Sequence, residues 1–262
     1  ICSIPYMGED YTRDGIARLD CIVTVVDALR MRDEFSCAKD LLKGSLGEDD
    51  IENLVIQQIE FCNIVLLNKA SEISSEDLGM VRGIVHKLQP KAEIVECDFG
   101  DVALEKILDT GLFDYDSVAA SATWITEVEK GAEEDEGGEV EEYGIGTFVY
   151  FDRRPLDMNR FDSFVAKHWP AGVIRAKGMC YFADDTDLCY IFEQAGTQVS
   201  LKNIGQWYAT MPEAELKEQM ASDPALRRDW DPLYGDRMQK LVFIGRHLDR
   251  EAIKKALDFC LA

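Results

Sequence analysis

Asn68-Lys69 stands directly after the apolar run Ile64-Val65-Leu66-Leu67, at the point where a buried strand would end. A carboxamide and an ammonium delivered together there can serve a ligand or form an ordinary polar turn, and the dipeptide alone leaves both open. Two other apolar runs end in polar groups, at Asp27-Ala28 and at Cys97-Asp98-Phe99-Gly100. Parallel α/β sheets bind ligands beyond the carboxyl ends of their strands, so these three ends are where chemistry is expected. Metal chemistry has no comparable signal. Cys2, Cys21, Cys37, Cys62, Cys97, Cys180, Cys189 and Cys260 are scattered without a Cys-x-x-Cys pair, and His86, His168 and His247 are isolated. Zinc ribbons and thioredoxin-type sites need close pairs. Cys21, Cys62 and Cys180 lie in apolar runs, where a free cysteine acts as a small hydrophobe. The reading is reduced, structural cysteines in a cytoplasmic protein, with no metal ligand and no catalytic residue assigned.

The elements that would carry the strand ends follow from periodicity. Leu19–Asp27 is β-branched and apolar on both alternations, as in a strand buried on both faces. Residues 49–62 show helical spacing, with Ile51, Leu54, Val55, Ile59 and Cys62 on one stripe. Ile64–Leu67 is a second strand. Ser74 opens a helix with Asp77 three residues on, Leu78, Val81, Val85 and Leu88 form its apolar face, and Pro90 follows its end. Residues 92–97 are a third, more polar strand. Strand–helix alternation with short joins predicts a parallel α/β sheet. The later residues read differently: strands at 145–151, 172–182, 187–195, 197–208 and 241–244, and helices at 157–168 and 213–220. Asp249 caps a last helix with Ala252, Ile253, Ala256, Leu257 and Cys260 inward. That is the α+β pattern.

Charge divides the chain in the same place. Of 262 residues, 50 are acidic and 28 basic, a formal net charge of −22. Residues 1–126 hold 24 acids and 11 bases, residues 127–142 nine acids and one base, and residues 143–262 are nearly neutral. The middle stretch has little to bury and repels itself, so it reads as a solvated linker between two domains. A calcium site would need turn-forming spacing that the stretch lacks. Nucleic acid and anionic membrane both call for clustered Lys and Arg, and neither is expected as a partner. No apolar run approaches the ~18 residues of a membrane span, and the N-terminus lacks the features of a signal peptide.

With these elements in place, Asn68-Lys69 resembles the base-recognition loop of P-loop GTPases, usually Asn-Lys-x-Asp. Arg18–Ala28 and Gln57–Lys69 are similar to the corresponding strands of the CobW family of nucleotide-dependent metal chaperones, of the CobW/HypB/UreG type. Leu88–Ile94 and Ile107–Phe113 continue the likeness. Tyr143–Tyr150, Val173–Gly178, Trp230–Arg237, Gln239–Gly245 and the last helix resemble the family's C-terminal domain. The similarity runs over nearly the whole chain, in order, and is nearest to the bacterial zinc-responsive branch.

The resemblance implies the fold of the C-terminal half of a P-loop GTPase-like sheet over residues 1–126, and an α+β CobW C-terminal domain over 143–262. It implies a GTP-dependent metal chaperone, with zinc and magnesium as the metals of the full-length family and a metal-requiring client protein as partner. Asn68, Lys69 and Ser71 fall on the base-binding loop: the Asn braces it and contacts the purine, and the Lys stem covers the ring. Three departures qualify this. No G-x-x-x-x-G-K-[ST] stretch occurs in the sequence, nor the family's Cys-x-Cys-Cys motif, so hydrolysis by this chain and tight binding of nucleotide or metal are not expected. The absent initiator Met fits a chain that begins after those motifs, and leaves a sheet edge that could pair with a second copy. Ser71 replaces the guanine-reading Asp, which weakens the expected guanine preference unless the adjacent Glu72 reaches the base.

Arg175 and Lys177 alternate along a strand, so they share a face that could meet nucleotide or the acidic domain, or carry solvated charges. Asp184, Asp185 and Asp187 suit a cation, and more simply a turn. Trp169, Trp207 and Trp230 suit a partner surface or, more commonly, core anchors. Two rivals stand beside the chaperone reading: an interaction module without nucleotide or metal, and an acidic chaperone for a basic client.

Overall fold

The computed structural model describes residues 19–36, 49–114, 143–196 and 198–262. The acidic stretch 127–142 lies outside them. The chain divides into two compact units, Ile1–Tyr143 and Gly144–Ala262.

In the first unit, β1 (Val23–Asp27), β2 (Ile64–Asn68) and β3 (Glu93–Cys97) form a parallel sheet in the order β1-β2-β3. Two helices, α1 (Ala28–Ser36) and α2 (Asp49–Glu60), lie between β1 and β2 in sequence, and α3 (Ser75–Leu88) joins β2 to β3. The central strand is the most apolar and the most enclosed: Ile64, Val65, Leu66 and Leu67 are all buried. Ile64 and Leu66 pack with Val95 and Cys97. Ile56 and Ile59 of α2 and Met80, Val81, Ile84, Val85 and Leu88 of α3 are also buried. Each such side chain contributes about 1.5–3 kcal/mol of transfer free energy. Ser74 caps α3, its hydroxyl accepting the Asp77 N–H, as its spacing predicts.

Three details differ from the sequence reading. β1 is not buried on both faces: Thr24 and Val26 point inward while Val25 is 59% exposed. Among the described side chains of α2 the buried ones are Ile56, Ile59 and Glu60, and Leu54 is exposed. Helix α1 follows β1 with no spacer; its only buried residues among those described are Ala28 and Met31, too few for a clear apolar stripe.

The second unit is an antiparallel sheet in the order β4-β8-β5-β6-β7. Its strands are β4 (Ile145–Asp152), β5 (Val173–Phe182), β6 (Asp185–Ala195), β7 (Gln198–Gln206) and β8 (Gln239–Arg246). The helices are α4 (Met158–Lys167), α5 (Glu213–Ser222), α6 (Pro224–Arg228) and α7 (Arg250–Cys260). Phe161 and Phe164 of α4 and Ile253 and Leu257 of α7 pack with Phe182, Phe192, Leu241 and Phe243 of the sheet. Gly178 is required where β5 meets β8, because a Cβ there would sit 1.9 Å from the Lys240 carbonyl oxygen. Asp249 caps α7 through the Ala252 N–H. Ala252 itself is exposed, and the buried residues of that helix are Ile253, Leu257 and Cys260. No helix among the described residues is long and apolar enough to cross a membrane.

Candidate functional site

The parallel register places the three strand ends side by side: Asp27 opposite Asn68, and Asn68 opposite Cys97. Each end is then locked by its own polar contacts. Asp27 caps α1, its Oδ1 accepting the Arg30 N–H at 3.0 Å. Its Oδ2 lies 2.6 Å from Lys69 Nζ. Burial works against ionisation of Asp27, but the Lys69 hydrogen bond, two backbone N–H groups and the Lys69 charge outweigh it, so its carboxyl is held below the usual range. The same hydrogen bond and charge raise Lys69 above the ordinary lysine value. Lys69 has φ 61°, a left-handed backbone uncommon for a residue with a side chain. Lys69 immediately precedes a short 3₁₀ turn, Ala70–Glu72.

Asn68 spans from β2 to the loop after β3. Its Oδ1 accepts the Gly100 N–H at 3.0 Å and a long contact from Cys97 Sγ at 3.8 Å. With the carbonyl end so committed, the carboxamide NH2 is the end available to a ligand acceptor. Ser71 is tied to the same loop: its N–H and its Oγ–H both donate to Asp98 Oδ1, at 3.1 and 2.9 Å. Phe99 and Gly100 follow with positive φ, 55° and 69°. The Phe99 side chain is left 98% exposed. The three residues singled out on β2 and its turn are therefore gathered with Asp27 and Asp98, which the sequence marked only as strand ends.

The other candidates resolve differently. Arg175 and Lys177 share a face of β5, yet both are 2% exposed, so they are not solvated charges. They face Glu193 of β6, with Lys177 Nζ at 3.3 Å and Arg175 Nη2 at 3.6 Å from Oε1; Lys202 Nζ lies 3.6 Å from Oε2. Burial opposes ionisation of Glu193, but these cations hold its carboxyl below the ordinary glutamate value. Ala183-Asp184 makes the β5–β6 turn, and Asp187 pairs with Arg237 at 3.3 Å. Trp169 stacks among Phe164, Phe192 and Phe243, and Trp207 is buried against Tyr181. Trp230 is half-buried. A groove of about 650 Å³ between α4 and α7, bordered by Arg160, Phe164, Lys255 and Phe259, brings together none of the candidate residues.

Among the described residues no three His, Cys, Asp or Glu side chains form a metal-holding group. Burial pushes the Cys62 and Cys260 thiols up to about 11 and Cys189 to about 12, away from the thiolate that ligates metal.

Residues 5–96 match the family model of the CobW/HypB/UreG nucleotide-binding domain, and residues 145–261 that of the cobalamin synthesis protein cobW C-terminal domain. Zinc-regulated GTPase metalloprotein activator 1 of Dictyostelium discoideum is 30% identical over 266 residues, covering 97% of this chain and 53% of that protein. The chain thus spans about half the length of the curated relative it matches. The solved structure of the Zn(II)-bound YjiA GTPase of E. coli aligns with 98% of this chain and 66% of that one, at 14% identity and a TM-score of 0.38. With one family model on each of its two units, the chain belongs to the CobW family.

Proposed function

We propose that this chain provides the base-binding side of a guanine-nucleotide site, together with a C-terminal domain, in a GTP-dependent metal chaperone that handles zinc. Asn68 and Lys69 hold the base, Lys69 laying its methylene stem from the end of β2 toward Asp27, and Ser71 completes the base-binding turn by tying it to the loop after β3. The observation that carries this reading is the in-register meeting of three strand ends with these side chains on them. Zinc enters as cargo, destined for a metal-requiring client, and follows from the family and from its relative's name rather than from any ligand set in these residues. Phosphoryl transfer needs a Gly-rich cradle, its Lys and magnesium, and these 262 residues contain no such motif. The contribution assigned to them is recognition. A match on both units weighs against an interaction module with neither ligand.

Titration of the ¹⁵N-labelled chain with GDP tests this. Without a phosphate cradle the affinity is expected to be weak, with shifts centred on the amides of Asn68, Lys69 and Gly100 and abolished by Asn68→Ala. A spectrum unmoved by saturating GDP would exclude the base site. Zinc affinity of the same chain is expected to be unchanged by GTP.

A further inference from the structure

We propose that Asp98, at the end of β3, is the carboxylate that reads the N–H edge of the guanine, taking the task that Ser71 cannot perform. This rests on the base-site reading above and assigns its specificity. Guanine presents two donors along one edge, the ring N1–H and the 2-amino group, whereas adenine presents an acceptor at N1. An ionised carboxylate accepts both guanine donors; a serine hydroxyl does not. The Ser71 hydroxyl gives its one proton to Asp98 Oδ1 at 2.9 Å, which leaves lone pairs on a single oxygen and no second acceptor atom for the parallel guanine donors.

The direction of those bonds gives Ser71 another role. Its N–H and its hydroxyl converge on one oxygen of Asp98, which anchors that oxygen. Among the described residues no hydrogen bond is directed to the other oxygen, Oδ2. Asp98 is held from its other side as well. Cys97 is in register with Asn68, and the Asn68 side chain pins the Gly100 N–H. The loop between them is consequently braced at both ends, with Asp98 half-buried at its base. The exposed Phe99 ring adds an apolar surface on the rim of the same site. Glu72, the neighbour of Ser71, is exposed and receives no comparable hydrogen bond from a described residue. Ser71 is therefore a positioning residue, and the reading carboxylate arrives from the adjacent strand instead of two places after Lys69.

The test compares GDP, ADP and xanthosine diphosphate on the full chain by the same resonance shifts. The unaltered chain is expected to favour GDP over ADP by at least about tenfold. Asp98→Asn should abolish that preference, leave ADP affinity unchanged, and favour xanthosine diphosphate, whose 2-carbonyl accepts from the new amide. Ser71→Ala should reduce the preference a few-fold, because the backbone N–H still holds Asp98. Ser71→Asp should not improve it, since two carboxylates would crowd one place. Retention of guanine preference in Asp98→Asn, its loss in Glu72→Gln, or a gain in Ser71→Asp each overturns the assignment. Failure of every nucleotide to shift the spectrum overturns the base site itself, and Asp98 with it.

Discussion

Lys69 combines two features that pull in opposite directions. Its side chain is tied to Asp27, and its backbone occupies a left-handed conformation that a Cβ makes unfavourable. Glycine is ordinarily the more destabilising replacement because it loses more chain entropy on folding. At this position the order should invert. Lys69→Gly is expected to unfold at higher urea than Lys69→Ala, since both lose the ion pair and only glycine relieves the backbone. Both should lose the GDP response. Equilibrium urea curves for the two variants decide this, and Ala above Gly would mean that the turn is not strained.

Buried cations define the second unit at the level of its strands. Lys177 of β5 sits directly opposite Glu193 of β6, and Arg175 reaches the same carboxylate while also donating to the Gln194 carbonyl. Removing one partner of such a pair leaves charge behind in a poorly solvated place, which costs ~3–5 kcal/mol when burial is complete. Glu193 remains 22% exposed, so Glu193→Gln is expected to cost about 2–3 kcal/mol. The pH dependence has a fixed sign. The folded-state value of Glu193 lies below its reference of 4.5, so its contribution is complete above about pH 4.5 and disappears as pH falls through the lowered value. Urea midpoints of the unaltered chain and Glu193→Gln should differ at pH 7 and converge as the pH falls below 4.5 through the lowered value; a constant gap would rule out the ion pair as the cause. This cluster also shows what a sequence withholds. Alternation along β5 placed Arg175 and Lys177 on one face, but their counter-ion depends on cross-strand register, which one strand does not encode. Asp98 and Ser71 are likewise 27 residues apart. Local signals revealed β2, the Ser74 cap and the Asp249 cap because each lies within a few consecutive residues. Helix α1 gives a weak signal because, among its described side chains, Arg30, Arg32 and Asp33 outnumber the buried Ala28 and Met31.

Across the whole molecule the acidity is divided rather than shared. Nine acids and one base are concentrated in residues 127–142, between a strongly acidic N-terminal portion and a nearly neutral C-terminal one. Gly144–Ala262 has a core of its own in the Phe161, Phe182, Phe192, Leu241 and Leu257 cluster, so it should survive separation. If residues 127–142 are a solvated linker, a glutamate-specific protease will cut there first. Brief digestion is expected to release a C-terminal fragment beginning near Tyr143. That fragment should unfold cooperatively, retain the acid sensitivity set by Glu193, and give no shift with GDP. Salt provides a second, independent reading. Screening relieves self-repulsion in proportion to unbalanced charge, so added sodium chloride should stabilise the N-terminal portion, at net −13, more than the C-terminal fragment, at net −1. Early cleavage within the β5–β6 hairpin, or a fragment that fails to refold, would refute the independence of the second unit. Equal salt responses would show that the acidic groups of the first portion are already neutralised by their own partners, as Asp27 is by Lys69.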